Sequence, residues 1–450
     1  MHATRTLIVI AAAQAALLTA CFAQAVYPVT EKMKAIIKKT ESFGLKPYPI
    51  SIWNYVDLKA YKDHMTEADM QSLADAGVTV PQGPDFDPSD PEQKAHMLKM
   101  LDWAGKRGMK LILRDPRAMA QSDPTGKRPV DGYRERAQAA INDFGKHPAL
   151  LGFFVGDEGT SEGIYECQRI LKELAPSLYP FFNHLPVIAP EWDKFLDKYV
   201  RLTNADIIGY DCYMQMHFTE GQRGVDAYYE NLRTYREASL RHGLPFWNTA
   251  LSLGHMPYRD PNLDDFRWQV NTSVAAGANG LVWFFWYAPT PGPGGGIPPI
   301  DEFWEKTQTY RDIRHVQNRF HKNYGGLFNR LVSTRVSFFP TAMGGGEAWK
   351  PNELVSAIWP AYDNNLPVLV GEFSDIEGKR YVMFVNNSQT KRDRILIKFP
   401  LKTKLYSFGY GSEGKETLVN DGSKSQNGYI EEWLWLAAGG ETVFRVELGK

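Results

Sequence analysis

The chain has 450 residues, with 51 Lys and Arg against 52 Asp and Glu, and the two charge types are interspersed. With this balance, nothing in the composition indicates a nucleic-acid surface, a polybasic membrane patch or an acidic tail. The length exceeds what one hydrophobic core usually serves, so we expect one large domain and one smaller domain. Aromatic residues make up 13% of the chain, and many fall at the ends of predicted strands.

Residues 1–25 have the pattern of a targeting segment. Arg5 precedes an apolar stretch, residues 7–18, that is too short to span a bilayer. Two processing signals compete: the run that ends at Cys21 resembles the lipobox of bacterial lipoproteins, whereas Ala23-Gln-Ala fits ordinary signal cleavage after Ala25. We expect an exported protein, either a periplasmic or outer-membrane lipoprotein anchored through lipidated Cys21, or a secreted protein.

Cysteine usage and glycine motifs give no sign of a metal or cofactor. Beyond the targeting segment only Cys167 and Cys212 remain, and their spacing does not match a metal site. Two buried thiols and a disulfide are both compatible with the sequence. No GxGxxG or Walker motif follows a predicted strand between residues 46 and 286, so we expect neither an organic cofactor nor a required metal.

Strand and helix signals alternate from about residue 46 to about residue 286. The helical patterns have sensible ends, such as the Thr66 cap and Gly77 of one predicted helix. The eight predicted strands cover residues 48–53, 78–80, 110–113, 150–155, 179–182, 205–210, 245–250 and 280–285. Eight such units predict an α/β fold, a (β/α)8 TIM barrel over residues 26–325.

After about residue 323 the pattern changes to short alternating runs separated by turn residues. These runs cover residues 368–372, 380–386, 394–399, 404–408 and 442–448. The pattern predicts a small antiparallel β-sandwich domain over residues 326–450.

The strongest candidate for a catalytic group is the acid pair after the fourth predicted strand. Residues 149–158 form an unbroken apolar run that ends in Asp157 and Glu158. Such an unbroken run is typical of a strand that is buried on both faces. In a parallel barrel this carboxyl end faces the active-site cleft. Side chains alternate along a strand, so both acids enter the cleft only if the chain turns, which Gly156 and Gly159 allow. Alternatively, Asp157 caps the next helix and Glu158 is an exposed acid.

Other polar and aromatic residues follow the remaining predicted strands and converge on the same barrel end. They are Asn54, Tyr55, Gln82, Arg114, Asp115, Asn183, His184, Asp211, Tyr213, Asn248, Ser252 and Trp286, with His255 just past the seventh strand. Candidate platforms for stacking on a sugar are Trp53, Tyr55, Trp247, Trp283 and Trp286. Each residue also has a structural interpretation, because barrel interiors accept aromatics and Asp115 before Pro116 can cap a turn.

The layout resembles that of clan-A glycoside hydrolases of the β-galactosidase and glucanase type. The residues that carry the resemblance are the acid pair, Gly-Tyr-Asp-Cys-Tyr at 209–213 and Val-Trp-Phe-Phe-Trp-Tyr at 282–287. The resemblance implies that Glu158 is the general acid, with Asp157 in place of the usual Asn. It also implies a Glu nucleophile at the end of strand seven, but residues 245–255 contain no carboxylate.

Glycosidic cleavage ordinarily needs two carboxyl groups, so a second acid must come from elsewhere. Asp211, after strand six, is favoured as the base of an inverting enzyme, and Asp115, after strand three, is an alternative. A further alternative is that Asp157 and Glu158 resemble the acid pair of substrate-assisted hexosaminidases, in which the acetamido group of the sugar attacks. Tyr210-Asp211 likewise resembles the Tyr-Asp of chitinase-like barrels.

The missing strand-seven Glu also supports a different class of protein, a catalytically inactive carbohydrate-binding protein of the cell envelope. A third class, a lyase or esterase acting on polysaccharide, is a further alternative. The sequence therefore predicts an exported glycoside hydrolase with a carbohydrate substrate.

Overall fold

A computed structural model describes residues 28–255, 257–289 and 295–449. The predicted targeting segment, with Cys21, lies outside the described residues, so export and lipid anchoring stay predictions. Within the described ranges, no helix combines the length and the apolar character that crossing a bilayer requires.

The first domain alternates parallel strands with helices. Its strands are β1 (Ile50–Ile52), β2 (Leu111–Leu113), β3 (Leu150–Asp157), β4 (Tyr179–His184), β5 (Ile208–Asp211), β6 (Phe246–Leu251) and β7 (Gly280–Phe284). Its helices are α1 (Glu31–Ser42), α2 (Leu58–Tyr61), α3 (Glu67–Ala76), α4 (Pro91–Lys106), α5 (Tyr133–Phe144), α6 (Glu162–Leu174), α7 (Trp192–Thr203), α8 (Gly221–His242), α9 (Leu263–Ala275) and α10 (Gln308–Tyr324). The parallel sheet has the order β1-β7-β6-β5-β4-β3-β2.

Residues 79–83 close this sheet into a barrel. The amide of Val80 donates to the carbonyl of Ile50 at 3.1 Å, and the amide of Ile112 donates to the carbonyl of Pro81 at 3.1 Å. The segment thus bonds to β1 on one side and β2 on the other. The predicted second strand, residues 78–80, is not a regular strand, because Pro81 has no amide hydrogen to continue the ladder.

Apolar side chains fill the barrel interior and close its amino end. Phe43, which follows α1, packs edge-on against Tyr179 at 5.1 Å and Trp247 at 5.7 Å between ring centroids. Val80, Ile112, Leu151, Phe181 and Val282 belong to the same buried cluster. Because this end is plugged, the carboxyl ends of the strands form the barrel's open mouth.

The second domain is a β-sandwich. Its strands are β8 (Val332–Phe339), β9 (Glu347–Ala348), β10 (Ala357–Pro360), β11 (Val368–Ser374), β12 (Arg380–Asn386), β13 (Asp393–Phe399), β14 (Lys404–Ser407), β15 (Thr417–Asn420), β16 (Ile430–Leu436) and β17 (Glu441–Glu447). One sheet has the order β10-β13-β16 and the other β15-β14-β17-β12-β11-β8-β9. All pairs are antiparallel except β8 with β9. The five sequence-predicted strands are present, and β8, β9, β10, β15 and β16 are additional.

Helix α9 joins the two domains. The indole of Trp268 donates to the side-chain oxygen of Asn387 at 2.8 Å, and the amide of Asn271 donates to Glu441 at 2.9 Å. Both contacts are buried, and the surrounding apolar core continues from the barrel helices into β11 and β12. The structure confirms the predicted fold class, a barrel followed by a β-sandwich.

Cys167 and Cys212 are buried free thiols.

Candidate active site

Three neighbouring strands bring polar side chains together at the barrel mouth. The amide nitrogen of Asn183, at the end of β4, donates to Asp157 of β3 at 3.0 Å and to Asp211 of β5 at 3.1 Å. The two acceptor oxygens are therefore no farther apart than the sum of these contacts, about 6 Å. Thr249 of β6 donates its hydroxyl to the amide oxygen of Asn183 at 3.1 Å, which fixes the orientation of the amide. Asn183 thus holds two carboxyl groups that carry no partner of opposite charge.

Burial and mutual repulsion change the acidity of this cluster. Burial, reinforced by the charges of Asp157 and Glu158, raises the pKa of Asp211 to about 7. Burial also raises the pKa of Asp157, although the hydrogen bond from the Asn183 amide and the charge of Arg114 act in the opposite direction. Among the described residues, none of the three acids forms an ion pair. Such a cluster of uncompensated acids in a cleft is typical of a catalytic site.

The chain turns sharply after β3, and this brings Glu158 into the same cleft. Glu158 has a φ of +54°, a left-handed conformation that is uncommon for this residue type. Its backbone amide donates to the carbonyl of Asn183 at 2.8 Å. Gly156 is required just before the turn, because a β-carbon there would lie 2.9 Å from the Phe182 ring. Partial burial, followed by the charge of Asp157, raises the pKa of Glu158.

Aromatic rings form the floor and one wall of the cleft. Trp53 packs against Tyr55 and Phe284, with centroid distances of 6.0 and 5.6 Å. Phe284 stacks on Tyr213 at 5.6 Å, and His255 packs edge-on against Tyr213 at 5.8 Å. Tyr55 is exposed at the rim, and the buried hydroxyl of Tyr213 has no hydrogen-bond partner among the described residues. The cleft therefore offers both ring faces and an unused donor.

Arg114 and Asn54 support the opposite side of the mouth. The guanidinium of Arg114 lies over the Phe154 ring at 4.6 Å and donates to Asp85 at 2.9 Å. It also lies 5.5 Å from the centroid of Tyr55, beside the acids. Asn54 is buried, and its side-chain oxygen accepts from the Val56 amide at 2.9 Å. Asn54 therefore holds its own loop, whereas Arg114 borders the cleft.

Several residues predicted from strand ends do not reach the cleft. Trp247 lies inside the barrel at the plugged amino end, near Phe43. Asn248 and Trp283 point outward, toward α9, because side chains alternate along a strand. The side-chain amide of Asn248 donates to Ser273 at 2.9 Å, and the Trp283 ring lies 5.7 Å from the Phe266 ring between centroids. Trp286 packs against Tyr310 of α10, and His184 packs against Tyr199 of α7. The stacking role predicted for Trp247, Trp283 and Trp286 is therefore corrected, because all three are fully buried.

Asp115 is also removed from the candidate acids. Its carboxylate is fully buried and accepts from the Arg117 side chain at 3.0 and 2.8 Å, and from the Arg117 backbone amide at 2.9 Å. A carboxylate held in this way by its own loop cannot activate a water in the cleft. Asp115 is a structural residue of the loop after β2.

Sequence reasoning missed Thr249 and Phe284. Both lie on strands in which the selected neighbours, Asn248 and Trp283, face outward. The inward positions of β6 are Trp247, Thr249 and Leu251, and only Thr249 is polar and close to the mouth. Alternation counted from a correct register would have identified it. In the described part of the chain, no group of three or more His, Cys, Asp or Glu is arranged to hold a metal.

The comparison with solved structures agrees with this architecture. A β-galactosidase from Bacillus circulans sp. alkalophilus aligns with a TM-score of 0.55 and 9% identity, over 89% of this chain and 99% of that chain. A cold-adapted β-galactosidase from Rahnella sp. R3 aligns with a TM-score of 0.50 and 10% identity, over 90% of this chain and 99% of that chain. A β-galactosidase from the psychrophilic Marinomonas ef1 aligns with a TM-score of 0.45 and 12% identity over 60% of this chain, which spans 59% of that protein.

No family model and no curated protein sequence matches the chain. At such low identity, the structural likeness shows the fold alone. The barrel and sandwich of this chain have the fold of those β-galactosidases, and the resemblance inferred from sequence is confirmed at the level of the fold.

Proposed function

We propose that this chain is a glycoside hydrolase that cleaves a glycosidic bond in the barrel cleft. The observation that carries the proposal is the cluster of Asp157, Glu158 and Asp211 at the mouth of the barrel, three carboxyl groups that form no ion pair with any described residue. Hydrolysis of an acetal needs one protonated and one ionised carboxyl group, and such a cluster supplies both.

Glu158 is proposed as the general acid. It is open to the cleft, and both partial burial and the charge of Asp157 raise its pKa, so the proton is retained closer to neutral pH. Its longer side chain and the turned backbone allow it to approach a sugar oxygen above the cluster. In this role it protonates the leaving oxygen as the bond breaks.

The ionised partner comes from Asp157 and Asp211, which share the amide of Asn183. The sequence favoured Asp211 as the base, but a pKa of about 7 leaves Asp211 about half protonated at neutral pH and largely protonated below it. Asp157 lies nearer to Arg114, whose charge favours its ionised form. We therefore propose that Asp157 carries the negative charge, positioned by Asn183, and that Asp211 carries the shared proton.

The other cleft residues fit a sugar substrate. Tyr55 offers an exposed ring face for the apolar side of a pyranose, whereas Trp53 is buried and packs behind it, and the buried hydroxyl of Tyr213 has no hydrogen-bond partner among the described residues. An unsatisfied buried donor is costly, so a polar substituent of the substrate placed beside it would gain a hydrogen bond. Arg114 at the rim adds a donor for hydroxyl or carboxylate groups.

The test is hydrolysis of a panel of aryl glycosides and polysaccharides by the full chain. Asp157→Asn is expected to abolish turnover, and Glu158→Gln is expected to abolish turnover of substrates with poor leaving groups, while thermal melts show normal folding. Glu135→Gln, an exposed acid on α5, serves as the matched control and should retain activity. If no substrate is cleaved but a glycan raises the melting temperature of all variants, the proposal fails and the chain is a carbohydrate-binding protein.

A second candidate function is substrate-assisted cleavage of a 2-acetamido sugar. The observation that favours it is the turn at Glu158, which presents adjacent acids to one cleft while Asn183 fixes Asp157. In this scheme Asp157 orients the acetamido group, whose oxygen attacks the anomeric carbon, and Glu158 protonates the leaving oxygen. Cleavage restricted to N-acetylhexosaminides, with inhibition by a thiazoline analogue of the cyclised sugar, would select this candidate over the first.

A further inference from the structure

The small sheet of the β-sandwich exposes a group of large aromatic side chains. Trp359 and Tyr362, on and just after β10, are 51% and 72% exposed. Trp433 and Trp435 of β16 are 38% and 65% exposed. Together with Arg394 of β13, these residues are called the aromatic face below. Contiguous exposed aromatics of this size mark a surface that binds something.

Strand pairing holds the aromatic face in a fixed arrangement. Trp359 lies opposite Leu396, and Leu396 lies opposite Trp433, so the three residues form one row across the sheet. Trp359 packs against Trp433 at 6.1 Å, and Tyr362 packs against Trp435 at 5.8 Å. The side chains on the other face of these strands, such as Ile358, Ile395 and Ile430, are buried in the sandwich core. The packed strands therefore fix the positions of the rings, so that the rings are preorganised for a ligand.

A positively charged groove continues from the aromatic face. It has a volume of about 1250 Å³ and lies between β16 and helix α10. Its lining includes Trp433 and Trp435 on one side, and on the other five basic residues spaced along one face of α10: Arg311, Arg314, His315, Arg319 and Lys322. None of the residues that line it belongs to the barrel cleft.

The charge of this groove is not neutralised from within. Arg314 donates to the backbone carbonyl of Asp75, and Lys322 donates to the hydroxyl of Tyr410, so both use neutral acceptors. Of the two acids in the lining, Asp75 accepts from Gln71, and Glu441 accepts from Asn271 and Tyr324. Burial raises the pKa of Glu441 and the charge of Arg319 acts in the opposite direction, so Glu441 compensates part of the charge of Arg319 alone. No basic residue of the α10 face forms an ion pair within the described part of the chain.

We propose that the aromatic face and the groove together bind a chain of an acidic polysaccharide, as a second carbohydrate site separate from the cleft. Ring faces stack on the apolar faces of sugar rings, and the guanidinium of Arg394, 4.1 Å from the Trp433 ring centroid, holds that ring in place. The arginines of α10 recognise carboxylate or sulfate groups through charge-assisted hydrogen bonds. The basic side chains of α10 continue from the rings along one groove, and this charge selects an acidic polymer as the occupant.

This inference goes beyond the proposed hydrolysis and does not depend on it, because binding is measured without turnover. Affinity electrophoresis of the full chain carrying Glu158→Gln would use polygalacturonate, dextran sulfate and neutral dextran as probes. We expect retardation by at least one acidic polymer, with sulfate and carboxylate distinguished by the first two probes. Raising the salt concentration should weaken this retardation, because screening reduces the attraction between exposed charges.

Paired variants locate the site. Trp433→Ala with Trp435→Ala, and separately Arg311→Ala with Arg314→Ala, are expected to weaken binding at least tenfold. The matched controls are Phe303→Ala and Arg128→Ala, which remove an exposed ring and an exposed cation from the barrel and should leave binding unchanged.

Three results would overturn the proposal. The first is unchanged binding in both paired variants, which would place the polymer elsewhere. The second is equal retardation by neutral dextran that the arginine variants do not change, which would remove the acidic assignment. The third is loss of a dimer in the tryptophan variants, measured by sedimentation without loss of polymer binding, which would show that the face binds a second copy of the chain.

Discussion

An aspartate lies near each end of strand β5, and the two have opposite surroundings. Asp206, just before the strand at the plugged end, is paired with Lys39 at 2.6 Å and also with Lys172. Asp211, at the open end, shares an amide with Asp157 and has no cation beside it. The same residue type on one strand is therefore neutralised at one end and left with its charge uncompensated at the other.

The difference shows how the barrel separates stability from chemistry. A buried carboxylate with paired cations holds elements together, here α1 and α6 against β5. A carboxyl group whose pKa rises to about 7 on folding lowers the free energy of unfolding at neutral pH. Such destabilising groups cluster in functional clefts, because their shifted pKa values serve the chemistry. Four predictions would break or sharpen this comparison.

The largest effect is expected from Glu158→Gln. Loss of the general acid should lower kcat by about 10²–10⁴-fold on substrates with poor leaving groups. The loss should be much smaller on dinitrophenyl glycosides, because their leaving oxygen needs little protonation. Steady-state kinetics with both substrate types measures this difference. An equal loss on both would contradict the role as acid and point to a defect in binding or positioning.

At the opposite end of the barrel, Asp206→Asn should damage stability instead of activity. Removing the carboxylate leaves two lysines without their partner, and we expect a loss of about 2–3 kcal/mol in the free energy of unfolding. This is below the cost for a fully buried pair, because the Lys39 side chain is 31% exposed. Urea denaturation measures the loss, and kcat on the folded fraction should be unchanged. A large fall in kcat without destabilisation would break the comparison.

Asn183→Ala tests the amide that joins the two acids. The amide donates to both carboxylates and so favours their ionised forms, which means that its removal should raise their pKa values. The rising limb of the pH profile of kcat/KM should then move to higher pH by about one unit. Thr249→Val, which keeps the amide but removes its hydroxyl partner, should move the limb less. An unmoved limb in both variants would exclude these acids from the rate-determining ionisation.

The smallest effect concerns how stability changes with pH. The pKa of Asp211 is about 7 in the folded protein and near 3.8 in the unfolded chain, so the folded state holds a proton that the unfolded state releases between these values. The free energy of unfolding should therefore fall as pH rises from about 4 through about 7. Asp211→Asn lacks this dependence, and its Tm should fall less than that of the wild type between pH 5 and pH 8. Parallel Tm curves for the two proteins would contradict the raised pKa.

Local patterns were enough to predict most of the scaffold. The continuous apolar run before Asp157 predicts a strand buried on both faces, and its carboxyl end lies at the barrel mouth as expected. The glycines around the acid pair predicted the turn that the structure shows at Glu158. The loss of regular strand pairing at residues 78–80 also has a local cause, Pro81, which can be read from the sequence.

Side-chain direction and long-range partners were beyond the sequence. Asn248 and Trp283 were selected because they lie near strand ends, but a shift of one position in a short strand moves a side chain to the other face. Asp115 and Asp211 look alike in the sequence, yet one is held by Arg117 and the other faces the cleft.

The sequence by itself determined the order of strands and helices, the change from barrel to sandwich and the position of the acid pair, because each depends on residues that are neighbours in the chain. Only the tertiary structure decided which acids share one environment. Asp157, Asn183 and Asp211 meet because three parallel strands end at the same level. Their pKa values follow from burial and from one another's charges, which exist only once the barrel is closed.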